Sequence, residues 1–163
     1  MQPEEGVFPA MSAGPGFSPA MTGTQTMHLV FPSSQIATRN ALGEAMRALA
    51  PLGLDEDRRG SLEILLAETL NNVVEHAYPG EPGGVIEMQC ETCDDTLRIT
   101  VQDRGVALVN GIPEGLPAEL GDRLEDLPEG GFGWFLIRQL SETVTYLRQG
   151  DRNNLSLTFP LSD

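Results

Sequence analysis

Between Leu62 and Tyr78 the chain reads LEILLAETLNNVVEHAY, and its apolar positions recur at helical spacing. Leu62, Leu66, Thr69, Leu70, Val73, Val74 and Ala77 fall on one face. Glu68, Asn72 and His76 follow one another at i, i+4 and i+8, which lines three polar groups along one side of the same helix. Asn71 and Glu75 widen that polar side, and Leu65 falls within it. Most such faces are simply wetted by solvent. A carboxylate, a carboxamide and an imidazole in line also suit a metal–phosphate ligand, so the remaining pattern has to decide.

Upstream, Met1 to about Gln25 is rich in Pro, Gly, Ser, Thr and Met without periodicity. That predicts a disordered tail over residues 1–25 and a folded domain over 26–163. Met27 to Phe31 alternates weakly up to Pro32 and predicts a short strand; His28 within it has no evident role. Ser33 or Ser34 caps a helix running to about Ala50, with Ile36, Leu42, Met46 and Leu49 on its buried side, and Pro51 stops it. Asp55 caps a second helix that carries the polar line and ends near Tyr78, before Pro79-Gly80.

Val85 to Glu91 and Thr96 to Gln102 alternate as strands joined by a turn at Thr92 to Asp95. Ile86, Met88 and Cys90 share one face, as do Leu97, Ile99 and Val101. Val106 to Glu129 is an irregular acidic stretch punctuated by Pro and Gly, the pattern of a functional lid. Trp134 to Leu140 is apolar and helix-like; Thr143 to Arg148 and Leu155 to Pro160 form a second hairpin around GDRNN. Strands and helices do not alternate regularly. The expected fold class is therefore α+β, a two-layer sandwich with a mainly antiparallel mixed sheet covered by helices on one face.

Composition narrows the chemistry. The formal charge of −14 repels nucleic acids and anionic membrane surfaces, so neither is an expected partner. All ten basic residues are arginine. Without lysine there is no Walker A loop, no strand lysine of a eukaryotic-type kinase and no Schiff base. Cys90 and Cys93 cannot complete a four-ligand zinc site, and they sit where a strand meets a turn rather than at a helix start, so they read as structural thiols. No signal peptide or spanning segment is evident, and the expected location is the cytoplasm.

Two further segments point the same way as the polar line. Asp103-Arg104-Gly105 comes off a strand end, where a carboxylate can accept from an exocyclic amine and glycine lets a ligand approach the backbone. Gly130-Gly131-Phe132-Gly133 opens a helix, where unpaired N–H groups suit a phosphate. Their order and spacing resemble the ATP-binding domain shared by gyrase, Hsp90, histidine kinases and MutL (the histidine-kinase-like ATPase family). The helix resembles its N-box, Asp103 to Gly105 its first glycine box, Gly130 to Gly133 its second, and the stretch between them the ATP lid. The narrower pattern E-x-x-x-N-x-x-x-H-A-Y, then D-R-G, then G-G-F-G-W-F-L-I, is similar to bacterial anti-sigma-factor serine kinases.

The resemblance spans roughly residues 27 to 160 and implies ATP or ADP with Mg²⁺ as ligands. By it, Glu68 is the general base, Asn72 the Mg²⁺ ligand, and Asp103 the partner of the adenine amino group. Gly105 admits the base, Gly131 and Gly133, with Gly130, cradle phosphate, and His76 and Ala77 line the pocket. Asn154 reaches the adenine end. Ala107 lies along the nucleotide where the first box commonly has a second glycine, and Pro128-Glu129 replace the basic residue some relatives carry before the second box.

The function implied is a serine/threonine protein kinase that phosphorylates a serine of an antagonist protein and sequesters a sigma factor, with a homodimer possible. A non-catalytic, nucleotide-gated module that binds a partner is the alternative, and Ala107 favours it slightly. A two-component histidine kinase would need a helical pair bearing a phosphoacceptor histidine, and only His28, in a predicted strand, precedes the N-box.

Overall fold

Side-chain oxygens start both long helices in the computed structural model, which describes residues 24–79, 83–108, 111–112 and 131–163. Ser34 Oγ accepts from the Ala37 amide at 3.1 Å and opens α1 (Gln35–Leu49). Asp55 Oδ1 accepts from the Arg58 amide at 2.8 Å and opens α2 (Glu56–Ala77). Each satisfies a backbone donor that the first helical turn leaves unpaired. Between them Pro51 lies in a 3-10 turn, Ala50–Leu52, closed by Gly53 at φ 68°.

Five strands follow the expected hairpins: β1 (Thr24–Pro32), β2 (Val85–Cys93), β3 (Thr96–Asp103), β4 (Thr143–Gln149) and β5 (Arg152–Pro160). The sheet order is β1-β2-β3-β5-β4, and every pairing is antiparallel. The α+β fold is as expected, with a purely antiparallel sheet where a mixed one was allowed for. α3 (Gly131–Leu140) lies between β3 and β4 in the chain. The chain thus goes to the sheet edge as β4 and returns as β5 beside β3. That return pairs Asp103 with Asn153, one at the end of its strand and the other near the start.

The inward sheet face is continuous. Met27, Phe31, Ile86, Met88, Cys90, Leu97, Ile99, Val101, Leu155, Leu157 and Phe159 form one buried cluster with the helices. The outward face is mainly polar, and there His28 Nε2 lies 2.7 Å from Glu87 Oε1.

Three details differ from the periodicity. Leu65, assigned to the polar side of α2, is fully buried, because α2 packs against α1 and α3 as well as the sheet and hides more than a single stripe. On α1 the buried positions are Thr38, Ala41, Ala45 and Leu49, while Ile36 is 76% exposed. Small residues let α1 lie close to β1, and Leu42 and Met46 flank the contact instead of filling it. The first hairpin turn is only Asp94-Asp95, with Asp94 at φ 51°, so Thr92 and Cys93 belong to β2.

The expected tail up to residue 23 and most of the expected lid lie outside the described residues. Among those described, no helix is long and apolar enough to cross a membrane.

Candidate functional site

The elements converge on one small cavity of about 30 Å³, partly open to solvent. α2 contributes Asn72, Val73, His76 and Ala77, and the end of β3 contributes Asp103. Val106 and Leu108 come from the segment after it, Trp134 from α3, Tyr146 from β4, and Asn153 and Leu155 from β5. Apolar walls with a few fixed polar groups are what a small-molecule site needs.

Asp103 is buried, and its Oδ1 accepts two hydrogen bonds, from the Gly105 amide at 2.8 Å and from Asn153 Nδ2 at 2.7 Å. No described residue donates to Oδ2, which leaves an acceptor-only oxygen for a ligand amine. Asn153 was missed in the sequence, where Asn154 was chosen. Leu155, Leu157 and Phe159 point inward, so strand alternation sends 153 inward and 154 to the other face. Asn154 does not line the cavity. The period-two pattern of β5 was the available signal.

Gly105 is held against α2. The Val106 amide donates to the Ala77 carbonyl at 2.8 Å, and a Cβ on Gly105 would lie 2.1 Å from that same oxygen. The requirement is space, since the intruded-upon atom is backbone. Gly133 shows the same intimacy at α3, where an added Cβ would lie 2.8 Å from Glu68 Oε2 and 3.4 Å from Asn72 Nδ2. The N-terminal turn of α3 is therefore seated on the Glu68–Asn72 part of α2. Gly131 is the first residue of α3, and Gly130 lies outside the described residues.

Within the polar line, the three side chains have different surroundings. Asn72 and Trp134 are buried, and among the described residues neither Asn72 Nδ2 nor Trp134 Nε1 has a hydrogen-bond partner. Such orphaned donors are costly in a finished core and are commonly completed by ligand or water. Glu68 is half-buried beside Gly133, outside the cavity lining, and His76 is exposed at the rim. Ala107 is half-buried and does not line the cavity, which its neighbours Val106 and Leu108 do.

Among the described residues no group of three His, Cys, Asp or Glu side chains could cage a metal. The donor set fits Mg²⁺ carried on phosphates, which keeps its waters and needs little more than one carboxamide oxygen from the protein. Cys90 and Cys93 are buried free thiols away from the cavity, and desolvation pushes the Cys90 thiol up to about 12.

The fold and site together define a nucleotide-binding α+β domain built on a helix, two glycine segments and an acidic strand end. The family model described as the histidine kinase-like ATPase domain matches residues 31–159, and the chain belongs to that family. Relatives include the serine-protein kinase RsbW of Halalkalibacterium halodurans, 35% identical over 95 residues, covering 57% of this chain and 57% of the relative. The serine-protein kinase RsbW of Listeria innocua is 35% identical over 85 residues, covering 51% of this chain and 54% of the relative. The chain thus spans a little over half the length of these curated relatives. A solved structure of the RsbU and RsbW domains of a Mycobacterium tuberculosis protein shares the fold, with a TM-score of 0.55 and 18% identity. The match covers 82% of this chain and 32% of that one.

Proposed function

We propose that this domain is an ATP-dependent serine/threonine protein kinase that phosphorylates a serine on an antagonist protein and holds a sigma factor in alternation with it. The observation that carries this reading is the seating of α3 on α2, which gathers Glu68 and Gly133 around Asn72, a residue that lines the same cavity as Asp103. The similarity to relatives named serine-protein kinases supports the protein substrate.

In this reading the base end of the nucleotide meets Asp103 Oδ2, which accepts from the exocyclic amine. Val73, Val106, Leu108 and Leu155 exclude water from the ring. The amide groups opening α3 face the phosphates with the positive end of the helix dipole. Asn72 supplies a carboxamide oxygen toward Mg²⁺, which neutralises phosphate charge when bound. Glu68 takes the proton of the attacking serine hydroxyl as its oxygen bonds to the γ-phosphorus and the bond to the ADP oxygen breaks. Phosphoryl transfer asks for position and charge neutralisation, so a lysine-free site suffices.

Incubation with labelled ATP and candidate antagonist proteins tests the reading. Transfer of label to a serine is expected, and its loss in Glu68→Ala with ADP affinity retained would assign the base. No transfer to any antagonist, alongside tight nucleotide-dependent binding of a partner, would instead favour the non-catalytic module that Ala107 allows.

A further inference from the structure

Tyr146 Oη donates to Asn153 Oδ1 at 2.6 Å, and Arg148 Nη1 donates to the same oxygen at 2.9 Å. Two donors on one oxygen decide which way the carboxamide faces, because the amide's other end can only donate. Its NH₂ is thereby turned to Asp103 Oδ1, 2.7 Å away. The reverse orientation would set an amide oxygen against a carboxylate and strand both donors.

The same side chains hold the backbone that leaves β3. Arg148 Nη1 also donates to the Gly105 carbonyl at 2.7 Å, and its Nε donates to the Gly150 carbonyl at 3.0 Å. Tyr146 Oη accepts from the Leu108 amide at 3.0 Å, and Asn153 Nδ2 reaches the Val106 carbonyl at 3.1 Å. Residues 105, 106 and 108, together with Asp103, are therefore tied to the β4–β5 hairpin through Tyr146, Arg148 and Asn153.

We infer that Tyr146 and Arg148 are positioning residues that set base specificity. By orienting Asn153 they saturate Asp103 Oδ1 and leave Oδ2 as the one acceptor presented to the base, so the site takes a 6-aminopurine and rejects a 6-oxopurine. The inference rests on the reading of Asp103 as the acceptor for the base amine. A site whose fixed acceptor faces a carbonyl leaves both groups unpaired and discriminates strongly.

Calorimetric titration of the full chain with ADP and with IDP tests it, for wild type, Tyr146→Phe, Arg148→Gln and Arg148→Lys. Tyr146→Phe keeps the ring that lines the cavity and removes only the hydroxyl. Each of the first two variants is expected to weaken ADP about 5-fold, the worth of roughly one hydrogen bond, while leaving IDP little changed. Arg148→Lys restores part of the ratio, and Tyr146→Phe has no further effect on it in an Asn153→Ala background. Folded variants, verified by thermal melts, that keep the wild-type ADP-to-IDP ratio would overturn the inference, as would equal losses for both ligands. A wild type that binds ADP and IDP alike overturns the reading of Asp103 beneath it, which separates the two failures.

Discussion

A Cβ on Gly105 would lie 2.1 Å from the carbonyl oxygen of Ala77, and that oxygen is already the acceptor for the Val106 amide. Helix and glycine segment are thus in backbone contact, with no flexible side chain between them to yield. Gly105→Ala must push the segment off α2. Overpacking of this kind costs roughly 1–3 kcal/mol. A lowered melting temperature and a loss of ADP affinity of at least about 10-fold are expected together, because the displaced segment carries Val106 and Leu108 into the site. Wild-type ADP affinity in that variant would contradict the packing described.

At Gly133 the obstructing atom is instead the far end of a side chain, Glu68 Oε2. Gly133→Ala should be tolerated by the fold and displace the carboxylate, so phosphotransfer should fall further than nucleotide affinity. Glu68→Gln, which keeps the shape and removes the carboxylate proposed as the base, should lower the turnover rate about 10²- to 10⁴-fold with nucleotide affinity nearly unchanged. Single-turnover transfer measured beside ADP titration distinguishes the two effects.

Asn72 is buried with no partner for Nδ2 among the described residues, so the folded protein gains little from it. Asn72→Ala relieves an unsatisfied donor and leaves a small void, and these oppose each other. The melting temperature should stay near wild type while Mg²⁺-dependent nucleotide affinity falls more than about 10-fold, by the worth of a charge-assisted contact. Unchanged affinity with Mg²⁺ would remove Asn72 from the site.

Leu65 is fully buried despite its place on the polar side of the helical wheel. Leu65→Ala should cost about 2–5 kcal/mol in chemical denaturation, as for a core leucine and unlike a surface one. A loss below about 0.5 kcal/mol would match an exposed position instead.

Burial holds the Cys90 thiol protonated up to about 12, against 9.0 as the ordinary value. The unfolded chain ionises first, so the stabilisation from this group is complete below pH 9.0 and is lost as pH rises towards about 12. Cys90 should therefore resist thiol reagents in the native protein at pH 8 and react on unfolding, with an alkaline loss of stability that Cys90→Ala diminishes. Rapid labelling of the native thiol would refute this.

The sequence alone determined most of the elements and the family. Local signals suffice for these: Ser34 and Asp55 cap by reaching three residues along their own helices, and alternation marks β2, β3 and β5. The spacing of Glu68, Asn72 and His76 with the two glycine segments identified the family, because residue type and order are sequence properties. Only the tertiary structure decided how those residues divide. Burial of Leu65 and Asn72 depends on α3 lying against α2, a contact between segments some sixty residues apart that no helical wheel contains. The choice of Asn153 over Asn154, and its hold on Asp103 through Tyr146 and Arg148, depends on β5 returning beside β3 in that register, and register is a property of strand pairing.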